Sequence, residues 1–167
     1  MCSSDLSDHG THLGDYGLVQ KQTFFEPTAR VPYIISVPNA DKGERGTVID
    51  TPVETRSLIP TLLDLCRLEH ENEEITELSL SRTVTEGAEP DPRPVYSEFT
   101  LNPPVIRTQE RIVMVRSGSI KLVVNVDNSS DSALLYDLEK DPLEQYDVSG
   151  NAKYAETLGE LERLVEE

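Results

Sequence analysis

The chain has 167 residues, of which 37% are hydrophobic and 28% charged, a balance typical of a folded chain rather than a disordered one. Its 31 acidic residues against 15 Lys and Arg give a formal net charge of -16. This excess of acid disfavours binding to nucleic acid or to an anionic membrane. The apolar runs are too short to cross a bilayer, and no leader pattern indicates a localisation.

The first residues lead abruptly into a dense polar stretch, Ser-Asp-His-Gly at positions 7–10. Real domains seldom open inside such a stretch. We therefore interpret residues 1–6 as a non-native leader and the coding sequence as truncated upstream of residue 7. A short natural N-terminus is the alternative.

The next part of the chain predicts a strand followed by a helix. Tyr33 to Val37 is a continuous apolar run between two prolines, which is typical of a strand buried on both faces. Thr47 to Ile49 is a second short strand or extended segment. Residues 54–68 carry apolar side chains at helical spacing and predict a helix, with a kink or the end of a first turn at Pro60.

After an acidic connector, the rest of the chain is predicted to form short strands and a final helix. Residues 69–92 carry eight acidic residues and one Arg, so we expect order only around Leu78–Leu80. Ser117-Gly118 predicts a tight hairpin, and Asn151 can cap a final amphipathic helix. Short strands are predicted at Val95–Glu98, Arg111–Arg116, Ile120–Val126 and Leu134–Leu138.

Two features carry chemistry. Asp8 and His9 place a carboxylate and an imidazole side by side on a glycine-rich turn, where both can reach one cation. Lys21 lies in a loop of backbone donors and can meet an anionic substrate oxygen. Taken alone, the Asp-His pair is equally consistent with a turn that carries a solvated histidine.

The motifs in their order resemble the sulfatase family of the alkaline phosphatase superfamily. The chain contains S-D-H-G-x-x-L-G-D-x-G-L-x-x-K from Ser7 to Lys21, then F-E-P-x-x-R-V-P from Phe25, P-T-L-L-D-L from Pro60, S-L from Ser79, Y-S-E from Tyr96, I-K-L-V from Ile120 and L-Y-D-L-x-x-D-P-x-E from Leu135.

The resemblance implies an α/β fold in two parts. Residues 7–92 would form the C-terminal part of an alkaline phosphatase-like sandwich, a strand–helix piece of a parallel sheet. Residues 93–167 would form a small α+β subdomain, an antiparallel sheet with a C-terminal helix.

The resemblance also implies roles for single residues. Asp8 and His9 match ligands of the active-site divalent metal, which is usually calcium in sulfatases. Lys21 matches the catalytic lysine that contacts the sulfate group and the leaving oxygen. Glu26 and Arg30 match a buried pair that supports the site.

Two further positions of the same loop differ from the family pattern or are variable within it. His12 falls at a variable position, where it either lines the substrate pocket or is a surface histidine. Tyr16 stands where the family frequently has His, so the chain departs from the family pattern at that position.

The mechanism of similar enzymes requires formylglycine, made from Cys or Ser within C-x-P-x-R or S-x-P-x-R. Its geminal hydroxyl attacks sulfur while the metal and lysines neutralise the oxygens. Neither motif occurs in this chain. We therefore expect about the C-terminal third of a sulfatase, inactive by itself, whose substrate is a small-molecule or glycan sulfate ester.

Two alternatives remain open. A phosphonate monoester or phosphodiester hydrolase of the same superfamily also carries an Asp-His pair, and an imidazole ligand suits Mn²⁺ or Zn²⁺ better than Ca²⁺. A stand-alone, non-enzymatic remnant is the other alternative. Against it, an isolated piece of a parallel sheet would expose the apolar run at 33–37.

Overall fold

The computed structural model describes residues 3–38, 46–68, 77–101, 110–128, 130 and 132–166. The chain divides into two compact units, the first made of Met1–Gly10 and Val31–Pro92 and the second of Thr11–Arg30 and Arg93–Glu167. The expected division differs, because it assigned residues 11–30 to the first part. No helix in the described ranges has the length and apolar character of a membrane span.

The first unit contains a pair of antiparallel strands. Strand β1 (Ser3–Leu6) pairs with β4 (Tyr33–Ser36), so part of the expected leader forms a strand. Exposure alternates along β4, and Ile34 is 59% exposed. The expectation of a strand buried on both faces is therefore wrong for this chain. The alternation is that of an antiparallel sheet with one covered face.

A helix follows in the first unit, close to its predicted position. A 3₁₀ turn (Thr55–Ser57) leads into α2 (Leu58–Cys66). Pro60 falls in the first turn, where its missing N–H costs no intrahelical bond. The helix ends at Arg67, whose left-handed backbone (φ 55°) closes the last turn.

The acidic connector is more ordered than expected. Residues Ser81–Glu86 form helix α3, and the N–H of Leu80 donates to the Thr61 hydroxyl of α2 at 2.8 Å. Residues 69–76 of the connector lie outside the described residues. Residues 47–49, expected as a strand or extended segment, form no strand.

The second unit is built on an antiparallel sheet, as expected. Its described strands follow the order β5 (Val95–Leu101), β6 (Glu110–Ser117), β7 (Ile120–Asn125) and β8 (Leu134–Asp137). The predicted hairpin is confirmed, since Ser117 lies opposite Ile120.

One face of this sheet carries the apolar core. Buried side chains of Val115, Leu122 and Leu135 pack against Leu161 of the last helix, α4 (Ala155–Glu166). Asn151 caps the preceding 3₁₀ turn (Ala152–Tyr154) by accepting from the N–H of Lys153 at 3.0 Å. Since side chains alternate along a strand, the neighbour of Leu122, Lys121, faces the opposite side of the sheet.

The earlier part of the second unit contains a small hairpin and one short helix. Strands β2 (His12–Leu13) and β3 (Val19–Gln20) pair antiparallel around a 3₁₀ turn (Asp15–Gly17). Helix α1 (Glu26–Ala29) follows. This segment carries Lys21.

A buried carboxylate closes the turn after β8. Asp137 accepts a hydrogen bond from the Lys140 ammonium and another from the Tyr154 hydroxyl at 2.6 Å. These two hydrogen bonds, that of Lys140 first, lower the pKa of Asp137 from 3.8 to about 2. They link the end of the sheet to the start of the last helix.

We expect Leu122→Ala to lower the free energy of unfolding by about 2–5 kcal/mol, because it leaves a cavity in a fully buried site. Urea unfolding followed by circular dichroism measures this. Leu134→Ala is the matched control, since Leu134 is 37% exposed on a neighbouring strand. Equal losses in the two variants would contradict the assigned core.

The lowered pKa of Asp137 predicts acid sensitivity with a definite sign. The stabilisation is fully present above the unfolded-state pKa near 4 and is lost as pH falls toward about 2. Asp137→Asn should lower the free energy of unfolding by at most about 2 kcal/mol at neutral pH. The difference in this free energy between the variant and the parent should shrink as the pH falls from about 4 to about 2. Urea unfolding across the interval, with exposed Glu139→Gln as control, tests this; a constant difference would contradict it.

Candidate functional site

The Asp-His turn of the first unit is organised by its own hydrogen bonds. The Ser7 hydroxyl donates to the His9 carbonyl at 2.8 Å, and the His9 N–H donates to Oδ1 of Asp8 at 3.0 Å. Nδ1 of His9 lies 2.8 Å from the Gly10 carbonyl. Because a carbonyl can only accept, Nδ1 donates to it, and Nε2 is the ring nitrogen that faces Asp8.

This arrangement fits a metal-binding turn. Nε2 of His9 lies 3.3 Å from Oδ2 of Asp8. Two ligands have this spacing when each lies about 2.0–2.6 Å from one cation. A carbonyl that holds the other ring nitrogen is the usual support of a metal-binding histidine. Within the described ranges, no cluster of three or more His, Cys, Asp or Glu could hold a metal.

Lys21 lies in the second unit, whereas Asp8 and His9 lie in the first. It follows Gln20, which ends the β2–β3 hairpin with a left-handed backbone (φ 72°). Gly14 (φ 115°) and Gly17 (φ 71°) permit the tight turn of this hairpin. The exposed Lys21 therefore stands directly after a folded hairpin.

The structure corrects the expectation for His12 as a surface residue. Its side chain is buried, with 2% of the residue exposed, and Nε2 lies 2.7 Å from the Thr23 hydroxyl. The rings of Tyr16 and Phe25 stand edge-on to it, with centroids 5.8 and 6.1 Å away. Nδ1 is buried without a hydrogen-bond partner among the described residues.

Lys121 attaches the Lys21 segment to the sheet. Only 1% of Lys121 is exposed. Its ammonium donates to the Phe24 carbonyl at 3.0 Å, to Oε1 of Glu26 at 2.6 Å and to Oε1 of Glu144 at 2.8 Å. A buried ammonium has three donors, and here each has an acceptor.

Glu26 and Arg30 do not form the expected buried pair, because the partner of Glu26 is a different residue. Glu26 pairs with Lys121 and lies 3.6 Å from Nη1 of Arg116. Arg30 is exposed and leaves helical geometry at the end of α1 (φ -87°, ψ 108°). Arg30 caps the helix, and its N–H donates to the Glu26 carbonyl at 2.9 Å.

Lys121 and Glu144 were not recognised as supporting residues from the sequence, although both stand inside quoted motifs. The available signal was a lysine between apolar strand residues and a glutamate after Asp141-Pro142. Neither pattern reveals burial, because surface strands also alternate charged and apolar residues.

Comparison with known proteins identifies the class. The family model described as "N-sulphoglucosamine sulphohydrolase, C-terminal" matches residues 14–167. The chain is 32% identical over 164 residues to an N-acetylglucosamine-6-O-sulfatase of Bacteroides thetaiotaomicron, covering 96% of this chain and 28% of that protein.

Two solved structures share the fold. One is BT4656 in complex with its substrate D-glucosamine-2-N,6-O-disulfate (TM-score 0.82, 27% identity, 99% of this chain and 33% of that one). The other is the phosphonate monoester hydrolase of Agrobacterium radiobacter (TM-score 0.77, 26% identity, 98% of this chain and 34% of that one).

The chain therefore belongs to the N-sulphoglucosamine sulphohydrolase C-terminal family, among the sulfatases, and its alkaline phosphatase-like fold is confirmed. It spans only about a third of the length of these relatives.

Proposed function

We propose that this chain is the C-terminal portion of a metal-assisted sulfatase that hydrolyses small-molecule or glycan sulfate esters. The observation that carries the proposal is the Asp8–His9 turn, whose Nε2 and Oδ2 converge at 3.3 Å in a chain that belongs to the sulfatases.

The proposal gives a separate role to the metal ligands and to the lysine. Asp8 and His9 hold the divalent cation, most simply Ca²⁺, and the Gly10 carbonyl orients the imidazole. The cation, when bound, acts as a Lewis acid on the ester oxygens. The charge of Lys21 stabilises the sulfate group and the leaving oxygen.

The nucleophile in the proposal is a formylglycine outside this chain, which contains neither C-x-P-x-R nor S-x-P-x-R. The chain alone is therefore inactive toward aryl sulfates. The substrate class draws on relatives, which include the glucosamine disulfate complex and, at 31% identity, a choline-sulfatase of Rhizobium meliloti.

A second candidate is a phosphonate monoester hydrolase. It is favoured by the similarity to the Agrobacterium enzyme and by the imidazole of His9, which suits Mn²⁺ or Zn²⁺. The rates at which the complete gene product cleaves an aryl sulfate and an aryl phosphonate distinguish the two candidates. The faster reaction identifies the function.

The decisive test of the proposed function is the genomic DNA upstream of codon 7, read from an independent library. We expect an in-frame C-x-P-x-R or S-x-P-x-R. A stop codon and promoter directly before Met1 would overturn the catalytic proposal and favour a non-enzymatic remnant.

The metal role of the turn can be tested on this chain. Mn²⁺ is a suitable probe, because paramagnetic broadening of amide NMR signals detects even weak binding. We expect the strongest broadening at residues 7–10, its reversal by Ca²⁺, and its loss in Asp8→Asn and His9→Gln. Asp91→Asn removes an exposed acid of the same unit and is the control. Broadening that persists in both turn variants would contradict the assignment.

A further inference from the structure

The three acceptors around Lys121 include two from the segment that follows Lys21. The Phe24 carbonyl and the Glu26 carboxylate lie three and five residues after Lys21 and 97 and 95 residues before Lys121. The third acceptor, Glu144, is itself buried, with 3% exposed. Its second oxygen, Oε2, accepts the N–H of Glu26 at 2.7 Å. Lys121 and Glu144 therefore hold both the backbone and the side chain of this segment.

The hairpin before Lys21 is attached to the same turn of the chain. The Tyr16 hydroxyl donates to the carbonyl of Leu143 at 2.7 Å, one residue before Glu144. The Tyr16 ring also stacks on Phe25, with centroids 4.4 Å apart. Attachments therefore lie on both sides of Lys21, one to the carbonyl of Leu143 and the other to the side chain of Glu144.

The backbone at this turn is unusual. Glu144 has φ 50°, in the left-handed region that costs energy for a residue other than Gly. This conformation persists where surrounding contacts impose it. Here the two carboxylate oxygens of Glu144 are engaged by Lys121 and by the N–H of Glu26.

A purely stabilising role is a weak explanation for this cluster. The attraction within a buried ion pair is largely offset by the cost of removing both charges from water. Apolar side chains of similar size are therefore often at least as stabilising. Moreover, the apolar core of Val115, Leu122, Leu135 and Leu161 lies on the other face of the sheet.

We propose that Lys121 and Glu144 are positioning residues that hold the Lys21 segment on the C-terminal sheet. The catalytic meaning of this placement rests on the proposed function, in which Lys21 meets the sulfate ester. The attachment itself does not depend on any activity.

The test is segment-resolved hydrogen exchange on this chain, comparing the parent with Lys121→Met/Glu144→Leu. The apolar core on the other face of the sheet is untouched and Glu26 keeps Arg116 at 3.6 Å, so protection of β6 and β7 should stay near that of the parent. Exchange at residues 22–28 should accelerate about tenfold or more. Lys153→Met removes an exposed lysine of the same unit and is the control.

Two results would overturn the proposal: unchanged exchange at 22–28, or loss of protection in the segment and the sheet in equal proportion. If the double variant does not fold, Glu144→Gln decides. Its single amide oxygen can accept from Lys121 or from the N–H of Glu26 but not from both, so faster exchange within residues 22–28 is expected, and parent-like exchange throughout them would refute the proposal.

A kinetic readout links the attachment to catalysis. In the complete gene product, the double variant should lower kcat for a sulfate ester by about tenfold or more with little change in KM, because Lys21 acts on charge that develops in the transition state. If the complete product has no such activity, the proposed function fails, whereas the exchange result still decides whether Lys121 and Glu144 hold the segment.

Discussion

The placement of the segment that follows Lys21 depends on the buried ammonium of Lys121. Removing a charged group from water costs several kcal/mol unless every donor finds an acceptor. Here the acceptors are Phe24, Glu26 and Glu144, from two distant parts of the chain. The requirement to satisfy this one group therefore joins residues 24–26 to the C-terminal sheet.

The two faces of that sheet have different tasks. On one face, Leu122 and Leu135 pack against Leu161, and burial of apolar surface provides stability without directional demands. On the other face, Arg116 and Lys121 lie opposite each other on neighbouring strands, and both approach Glu26. Hydrogen bonds and ion pairs have directional demands, so this face determines where the attached segment lies.

The residues to which the proposal gives a role differ in what holds them in place. The first unit carries Asp8 and His9 on a turn that is held by its own hydrogen bonds. The second supplies Lys21 after a hairpin. The Asp-His turn is thus a local structure, whereas the segment after Lys21 is held by contacts with a residue more than 90 positions away.

The sequence by itself determined the local features of this protein. The hairpin at Ser117-Gly118, the cap at Asn151 and the adjacency of Asp8 and His9 depend on residues within a few positions, where turn chemistry and periodicity are informative. The ordered motifs likewise identified the sulfatase family.

The tertiary structure alone decided which polar groups are buried and with which partners. His12 is buried although it was expected at the surface, Arg30 is exposed although a buried pair was expected, and Glu26 pairs with Lys121 instead. The physical reason is that desolvation depends on what packs over a residue, and here the packing partners come from distant segments. Periodicity reports which face a residue occupies, but not what covers that face.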